Sequence, residues 1–241
     1  MTYCTVIPTY NNARTVADIV RRTLAVCSDV IVVNDGSTDN TLQELQPFGD
    51  AITVITYSRN RGKGYALRRG LEAARTAGFA YAVTIDSDGQ HSPEEIPQLI
   101  KAIDEQPTLV VGSRNIQADG MPAGNTFANR FSNFWFRLQT GLRLPDTQTG
   151  FRVYPLHSLP CLKMLTYRYE SELELLVFSA WRGVKLVPVS ISVIYPEDRV
   201  SHFRPFRDFF RISLLNTLLC LLAIVYGYPR MLLGRLKGGR R

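Results

Sequence analysis

Short apolar runs rich in β-branched residues alternate along the chain with longer stretches in which apolar residues recur at helical spacing. Runs of the first kind predict buried strands, and stretches of the second kind predict amphipathic helices. The predicted strands span 5–7, 30–33, 52–57 and 81–85, and the helical stretches between them include 14–26 and 64–77. This β-α-β-α order predicts an α/β fold with a mostly parallel sheet flanked by helices.

The pattern becomes irregular over 113–169, which is rich in Arg, Asn, Gly and aromatic residues. A further helix is predicted at 170–182 and a further strand at 184–189. No internal repeat is visible, and no linker separates a second globular domain. We therefore expect one folded domain over 1–204, followed by a basic, hydrophobic segment over 205–241.

Length and composition fit one substantial core, because the chain has 241 residues of which 45% are hydrophobic. The net charge of +7 is concentrated at one end: nine Lys or Arg residues and a single Asp lie from Arg199 onward. These charges flank an apolar run instead of lining the folded domain, so the pattern disfavours a nucleic-acid binder. Anionic membrane lipid is the expected partner.

The cysteines indicate a reducing environment. Cys4, Cys27, Cys161 and Cys220 are far apart and form no Cys-x-x-Cys pair, so neither a zinc site nor a disulfide framework is predicted. The N-terminus enters the first strand without a basic segment and a long apolar run, so we expect no cleaved signal peptide. The folded domain is therefore expected in the cytoplasm.

An uncharged run of 18 residues at 212–229 dominates the C-terminal segment. As a straight helix it is about 27 Å long, slightly short of the ~30 Å hydrocarbon core of a bilayer. Basic residues such as Arg211 and Arg230 stand on both sides, so the positive-inside rule draws both flanks to the cytoplasm. We expect a peripheral or re-entrant helix at the cytoplasmic face. The alternative is a helix buried against the domain or a second subunit, because the run is apolar on every face.

Candidate chemistry lies just after the predicted strands, where ligands of open parallel sheets gather. Asp86 and Asp88 follow the strand at 81–85, and side chains at i and i+2 lie on the same side of an extended chain. Carboxylate oxygens suit Mg²⁺ or Mn²⁺, which usually complete their shell with phosphate oxygens and water. A diphosphate ligand is thus predicted. The alternative is that the pair caps the turn before a helix that starts at Ser92 and Pro93.

Two further loops follow strands. Asp35, in the sequence Asn-Asp-Gly-Ser, could accept hydrogen bonds from a nucleobase or a ribose, although the same residues make good turn and cap chemistry. Residues 60–64 read Asn-Arg-Gly-Lys-Gly and open a helix. Their glycines, the helix N-terminus and Lys63 are suited to a phosphate or nucleotide.

Taken in order, these motifs resemble glycosyltransferase family 2. The segments that carry the resemblance are Val6-Ile7-Pro8-Thr9-Tyr10-Asn11, Val33-Asn34-Asp35-Gly36-Ser37, Asn60-Arg61-Gly62-Lys63-Gly64 and Asp86-Ser87-Asp88-Gly89-Gln90-His91. Later segments resemble the dolichyl-phosphate mannose synthase branch, namely Gly112-Ser113-Arg114, Asn129-Arg130-Phe131-Ser132-Asn133, Asp146-Thr147-Gln148-Thr149-Gly150-Phe151-Arg152 and Glu170-Ser171-Glu172-Leu173-Glu174. The resemblance covers roughly residues 3–205, is specific as an ordered set, and implies a glycosyltransferase A-type fold.

The resemblance also implies roles for individual residues. The nucleotide sugar would be held by Pro8, Tyr10, Asn11, Asp35, Lys63 and Asp86. The metal ligands would be Asp88 and Gln90, with Asp86 joining directly or through water. The acceptor phosphate would meet Arg114, Arg130 and Ser132, together with His202, which stands where the branch tends to have Lys. Catalysis would fall to Asp88, Arg114, Arg130 and Arg152. The alternative for the arginines is pairing with carboxylates of the protein itself.

These roles predict an inverting, metal-dependent glycosyltransferase that moves a hexose from a GDP- or UDP-sugar to a polyprenyl phosphate. A phosphate monoester has a second pKa near ~6 and already presents an anionic oxygen, so it needs no general base. If the acceptor is instead a lipid or aromatic hydroxyl, Glu170 or Glu172 is the candidate base. A non-catalytic nucleotide-sugar-binding membrane protein is the third alternative. The Gln-x-x-Arg-Trp motif of processive synthases is missing, and the oligomeric state stays open.

Overall fold

A computed structural model describes residues 1–114, 123–159, 166–168, 170–194 and 205–238. Its centre is a seven-stranded sheet in the order β3-β2-β1-β4-β6-β5-β7. The strands are β1 Tyr3–Thr9, β2 Val30–Asn34, β3 Thr53–Thr56, β4 Tyr81–Thr84, β5 Thr108–Arg114, β6 Arg152–Pro155 and β7 Lys185–Ile191. β6 runs antiparallel to both of its neighbours, and the other pairs are parallel. The mostly parallel α/β sheet predicted from the sequence is confirmed.

Helices cover both faces of the sheet. They are α1 Val16–Leu24, α2 Thr41–Leu45, α3 Lys63–Thr76, α4 Ile96–Lys101, α5 Ala123–Thr140, α6 Glu170–Trp181, α7 Pro205–Leu222 and α8 Tyr228–Gly238. Val6 of β1 packs in the layer with α3, α5 and α6, whereas its neighbour Ile7 packs in the layer with α1 and α4. This alternation follows from the two-residue period of a strand. The sheet is therefore buried on both faces, as parallel sheets usually are.

Most predicted element boundaries agree with the structure to within about two residues. The helix predicted to start at Ser92 begins instead as a 3₁₀ turn at Pro93–Glu95, and Ser92 makes no side-chain cap hydrogen bond. The Asp88 carboxylate does accept a backbone N–H in the turn before it, from Gln90 at 3.1 Å, as the capping alternative requires. The sequence pattern predicts neither β5 nor β6. The four residues of β6 lie within the irregular region between 113 and 169.

The C-terminal helix is continuous from α7 through a π-helical turn at Ala223–Gly227 into α8. Within it, Phe210–Leu233 is 24 residues long with a mean hydropathy of 1.8, the one helix among the described residues that is long and apolar enough to cross a membrane. It exceeds the uncharged run because Arg211 and Arg230 are part of the same helix. The helix packs against α5 and α6 of the domain.

Candidate active site

The carboxyl ends of β1 and β4 lie side by side at the centre of the sheet, because the two strands are parallel neighbours. The Ser87 hydroxyl donates to the Pro8 carbonyl at 3.2 Å and accepts from the Asn12 amide at 2.8 Å. Ser87 thus ties the loop after β1 to the turn that carries Asp86 and Asp88. The structure brings the half-buried Tyr10 and Asn11 to the same edge as the aspartate pair.

Asn11 joins this loop to the end of β2. Its backbone has a φ of 53°, in the left-handed region that asparagine tolerates better than most residues. The backbone N–H of Asn11 donates to the Ser37 hydroxyl at 3.0 Å, and its side-chain oxygen accepts from the Thr38 N–H at 2.8 Å. Asn11 therefore shapes the edge of the site, while its predicted donor contact stays a prediction.

Asp35 holds the loop that precedes α3. Its carboxylate accepts the backbone N–H groups of Arg61 and Gly62, each at 2.8 Å. Burial raises the pKa of Asp35, and these hydrogen bonds oppose that rise. Gly36 is required at the contact, since a Cβ there would lie 2.5 Å from the Arg59 carbonyl carbon. The carboxylate is thus already engaged by the protein, and a nucleoside contact would have to use its remaining lone pairs.

Lys63, the first residue of α3, forms the central ion pair of the site. Its ammonium lies 2.8 Å from Asp86 and 3.2 Å from Glu172. Burial acts against the charged form of Lys63, but the two carboxylates prevail and raise its pKa. Burial would likewise raise the pKa of Asp86, yet the Lys63 charge holds it below the usual range. The predicted neighbours Lys63 and Asp86 are therefore in direct contact.

Glu172 is the more distant of the two carboxylates that pair with Lys63. Burial, reinforced by the charge of Asp86, raises the pKa of Glu172 in spite of Lys63. Glu170 is also buried, and its Oε2 has no hydrogen-bond partner. Glu174 accepts hydrogen bonds from the backbone and hydroxyl of Thr166 at 3.0 and 2.6 Å. Of the two candidate bases, Glu172 is thus occupied by an ion pair and Glu170 is enclosed.

Gly150 closes the floor of the site. A Cβ at this position would lie 2.7 Å from the Asp86 carboxylate and 2.9 Å from the Lys63 ammonium. The Thr84 hydroxyl donates to the Gly150 carbonyl at 2.7 Å and fixes the backbone there. A side chain at this position would push against the tips of the Asp86 and Lys63 side chains, so glycine leaves the ion pair undisturbed. The sequence showed this motif but gave Gly150 no role.

Asp88 and Gln90 form a compact oxygen-rich group on the other side of Asp86. The Gln90 backbone N–H donates to one Asp88 oxygen at 3.1 Å, and its side-chain amide donates to the other at 2.8 Å. The Gln90 amide thus turns its nitrogen toward Asp88, and its predicted role as a metal ligand stays a prediction. Because the described residues contain no cluster of three or more His, Cys, Asp or Glu side chains, a bound ion would also need amide, water or phosphate oxygens. That donor set fits Mg²⁺ or Mn²⁺.

His91 lies behind this group and not in it. The side chain is buried, and its ring stacks against Phe151 with centroids 5.5 Å apart. Burial lowers the pKa of His91 to about 4, so the imidazole is neutral at physiological pH.

Arg114 pairs with a carboxylate of the protein. It reaches Asp146 through two guanidinium nitrogens, one of them at 3.0 Å, and the Asp146 side chain is completely buried. Asp146 also accepts the Asn129 amide at 2.7 Å and the Gln148 N–H at 2.9 Å. Burial would raise the pKa of Asp146, but these donors hold it below its usual range. Arg114 is thus paired with a carboxylate of the protein itself, which was the alternative for these arginines. Its contact with the acceptor phosphate stays a prediction.

Ser132 and Arg130 point in different directions from α5. Ser132 is buried and shares a 2.7 Å hydrogen bond with the Thr147 hydroxyl. Arg130 is exposed and forms no ion pair with any residue that the structure describes. Arg130 therefore has an exposed charge, whose contact with the acceptor stays a prediction, whereas Ser132 supports the loop beside it. His202, the other predicted acceptor contact, lies outside the described residues.

The position of Arg152 corrects the role predicted for it. The side chain is completely buried in β6 and donates to the carbonyls of Glu172 at 2.7 Å and Thr147 at 2.9 Å. A guanidinium enclosed in this way does not face a bound ligand. Arg152 instead joins the start of α6 to the loop after Asp146, and so positions both sides of the site.

Comparisons with known proteins agree with this arrangement. Residues 4–171 match the family described as "Glycosyl transferase family 2". Glucosyl-3-phosphoglycerate synthase from Mycobacterium tuberculosis, solved with Mn²⁺, UDP and phosphoglyceric acid, superposes with a TM-score of 0.63 at 22% identity, over 92% of this chain and 78% of that one. Mannosyl-3-phosphoglycerate synthase from Rubrobacter xylanophilus gives a TM-score of 0.63 at 21% identity, over 100% and 76% of the two chains. These structures confirm the expected glycosyltransferase A-type fold.

Three curated proteins are also similar in sequence to this chain. The UDP-N-acetylglucosamine–dolichyl-phosphate N-acetylglucosaminyltransferase of Methanococcus voltae is 29% identical over 88% of this chain and 94% of its own length. The undecaprenyl-phosphate mannosyltransferase of Micrococcus luteus is 27% identical over 82% and 85% of the two chains. The polyprenol monophosphomannose synthase of Mycolicibacterium smegmatis is 31% identical over 62% and 60%. The chain is therefore a member of glycosyltransferase family 2, and these relatives confirm the expected polyprenyl-phosphate branch.

Proposed function

We propose that this glycosyltransferase moves a hexose from a nucleoside-diphosphate sugar to a polyprenyl phosphate at the cytoplasmic face of a membrane. The observation that carries the proposal is the state of the two candidate bases on α6. Glu172 is neutralised by Lys63, and Glu170 is buried. A hydroxyl acceptor would need one of them as a base, whereas a phosphate monoester is already anionic near neutral pH.

The donor side supports a diphosphate leaving group. Asp88 and Gln90 would hold a divalent ion, either Mg²⁺ or Mn²⁺, and Asp86 would join them directly or through water. Such an ion supplies positive charge that stabilises the departing nucleoside diphosphate. Lys63 holds the pKa of Asp86 below its usual range, and because Lys63 contacts both Asp86 oxygens, an ion bound directly to Asp86 would share this carboxylate with the ammonium. Attack from the face opposite the leaving group would invert the anomeric centre.

The acceptor side would depend on positioning. Asp146 fixes the Arg114 guanidinium through two hydrogen bonds, and Arg152 fixes the loop that carries Asp146 and Thr147. Arg130 adds an exposed positive charge on α5. An arginine held in this way can orient a phosphate without loss of much side-chain entropy on binding. The lipid phosphate would therefore meet preorganised cations in place of a general base.

The relatives guide the choice of donor. The Methanococcus relative is named for UDP-N-acetylglucosamine, and two other relatives are named for mannose transfer. We therefore propose a UDP- or GDP-linked hexose. A thermal-shift panel of nucleoside diphosphates with Mn²⁺ would identify the nucleotide, because a ligand that binds the folded state raises its melting temperature.

Purified protein with radiolabelled UDP-N-acetylglucosamine or GDP-mannose tests the proposal when a polyprenyl phosphate and the matching polyprenol are offered side by side. We expect transfer to the phosphate alone, and a product that mild acid cleaves. An acid-stable product on the polyprenol would support the hydroxyl-acceptor alternative. Donor binding without transfer or hydrolysis above background would support the non-catalytic alternative.

A further inference from the structure

We infer that the C-terminal helix lies in the plane of one leaflet, and that its outer face joins an exposed stripe of α5 in a single lipid-docking surface. The continuous helix of α7, the π-helical turn and α8 has one face on the domain and one face exposed. The part of the inference that concerns the acceptor rests on the proposed function, whereas the docking itself does not.

The inner face of the helix is part of the domain core. Leu215, Leu219 and Ala223 are buried among side chains of α5 and α6. Gly227 lies so close to the Trp181 indole that a Cβ at this position would collide with it. The contact between helix and domain therefore extends from Leu215 to Gly227, across the middle of the apolar stretch. A helix that crossed a bilayer would carry these domain side chains into the hydrocarbon.

A buried polar pair reinforces this contact. The Gln139 amide of α5 donates to the Asn216 side chain at 2.9 Å, and neither residue is more than 1% exposed. The Trp181 indole N–H donates to the Gln139 carbonyl at 2.8 Å. Separation of the C-terminal helix from α5 would break the bond between Gln139 and Asn216, at a cost characteristic of buried unpaired amides. The polar pair thus fixes the helix at one position on the domain.

The outer face is mostly apolar, and Thr217 is an exposed polar residue within it. The exposed apolar side chains are Phe210, Leu214, Leu218, Leu221, Ile224, Val225, Leu232 and Leu233, with fractions exposed between 41% and 73%. A single-sided apolar face of this length exceeds the apolar patches usual on soluble monomers. It matches the interfacial helices that insert one face into the boundary between headgroups and acyl chains.

Charge and aromatic residues select lipid as the occupant. Arg211 and Arg230 lie near the two ends of the exposed face, and the basic residues of the surrounding sequence extend beyond them. Arg230 lies over the Tyr226 ring at 5.7 Å, and Tyr228 is also exposed. Tyrosine and arginine at the ends of an apolar face are typical of the level of the headgroups. An anionic leaflet complements both the apolar and the basic parts.

The surface continues onto α5. Arg130, Phe134 and Leu138 are all exposed, and their spacing of four residues places them in one stripe, with about 6 Å between successive side chains. The Tyr228 hydroxyl donates to the Leu138 carbonyl, so the apolar end of the stripe adjoins the C-terminal helix. The polar end is Arg130, the proposed acceptor contact. A lipid phosphate could therefore reach Arg130 while its chain stays in the leaflet.

Vesicle co-sedimentation of the full chain tests the docking surface. We compare Ile224→Asp with Leu42→Asp, since Leu42 is an exposed leucine on the distant helix α2. On vesicles of phosphatidylcholine mixed with phosphatidylglycerol we expect Ile224→Asp to bind at least about tenfold more weakly and Leu42→Asp to bind like the parent. Equal binding of both variants would overturn the inference. Melting curves establish that each variant is folded.

The depth of spin labels in the bilayer tests the orientation of the C-terminal helix. Leu214→Cys, Ile224→Cys and Leu232→Cys are each labelled with a nitroxide in a chain whose native cysteines are replaced by alanine. A helix in the plane places the three labels at one shallow depth, whereas a spanning helix places the label at 224 deepest. Labels that contact no lipid, together with a doubled mass in solution, would assign the face to a second copy and overturn the inference. Extraction of the unaltered chain from membranes by alkaline carbonate gives an independent measure, and retention like an integral protein would also overturn it.

The docking and the reaction can fail separately. A water-soluble short-chain isoprenyl phosphate reports the chemistry without vesicles, and Ile224→Asp should use it at the parental rate. A chain that binds vesicles but transfers no sugar would overturn the proposed function and leave the docking surface standing. A chain that transfers sugar to the soluble acceptor but ignores vesicles would overturn the docking surface.

Discussion

The Lys63 ammonium lies 2.8 Å from the Asp86 carboxylate, at the meeting point of α3 and the turn after β4. Each side chain is less than a quarter exposed. Lys63→Met should therefore destabilise the chain by about 1.5–3 kcal/mol, because it removes a hydrogen bond between charged groups. The double variant Lys63→Met, Asp86→Asn should recover part of that loss, and denaturant unfolding of the double-mutant cycle measures it. Additive losses would contradict the coupling.

Asp88→Asn should reduce transfer at least about a hundredfold and leave the melting temperature unchanged, because it removes a charged metal ligand from a partly exposed turn. Asp50→Asn is a matched control on an exposed aspartate before β3, at the edge of the sheet opposite the carboxyl ends of the parallel strands. Steady-state rates with Mn²⁺ and Mg²⁺ give the measurement. Retention of more than about a tenth of the parental rate, a barrier change below roughly 1.4 kcal/mol, would remove Asp88 from the metal site.

Arg130→Ala should weaken use of the lipid-phosphate acceptor by about 1.5–3 kcal/mol, the usual loss for a charged hydrogen bond. Donor affinity should stay unchanged. The control is Arg137→Ala, an exposed arginine two turns further along the same helix. Calorimetry with the nucleotide and acceptor titrations of the rate separate the two effects. Equal losses of nucleotide and acceptor affinity would contradict the assignment.

Glu172→Gln should retain most of the transfer to a phosphate acceptor, since no base is required there. Burial raises the pKa of Glu172, so the stability that this carboxyl contributes is present below its unfolded pKa of about 4.3 and is lost as the pH rises through the folded value. A neutral glutamine avoids that loss. The variant should therefore melt at the same or a higher temperature at pH 7.5. A loss of rate beyond about a hundredfold would identify a general base.

The contribution of Asp146 to stability should depend on pH in the opposite sense to that of Glu172, and Asp146→Asn tests this. The Arg114 guanidinium and the backbone donors hold the pKa of Asp146 below its usual range. Its contribution to stability is thus present above the unfolded value of about 3.9 and is lost as the pH falls through the lower folded value. The difference in unfolding free energy between parent and variant should be constant above about pH 5 and shrink below about pH 4. A difference that stays constant down to pH 2 would show that Arg114 does not depend on the charge of Asp146.

The sequence pattern predicts those strands and helices whose apolar residues recur at a regular spacing. The alternation of β-branched runs and amphipathic stretches located β1 to β4, and residues that follow parallel strands necessarily meet at one edge. The antiparallel strand β6 could not be read in this way, because its Arg152-Val153-Tyr154-Pro155 run is too short for a period and includes an arginine. Only tertiary packing decides that this arginine is buried.

The same limit applies to the pairings within the site. Asp146 and Arg114 are separated by 31 residues, and nothing local indicates that one will neutralise the other. Lys63 and Glu172 are further apart still, so Glu172 looked like a candidate base from sequence alone. The length of the C-terminal helix was underestimated for a different reason. The uncharged run was counted, but long arginine side chains at 211 and 230 can remain in a helix whose outer face is apolar.

The π-helical turn at Ala223–Gly227 sets the rotational phase of the C-terminal helix. Buried positions at 215, 219, 223 and 227 recur every four residues, which in a regular α-helix drifts by about 40° at each step. A turn that closes through i to i+5 hydrogen bonds winds more slowly and offsets part of this drift. Removal of one residue from this turn would rotate everything after it by about 100°. Leu232 and the terminal basic residues would then face a new direction, although the hydropathy of the segment would hardly change.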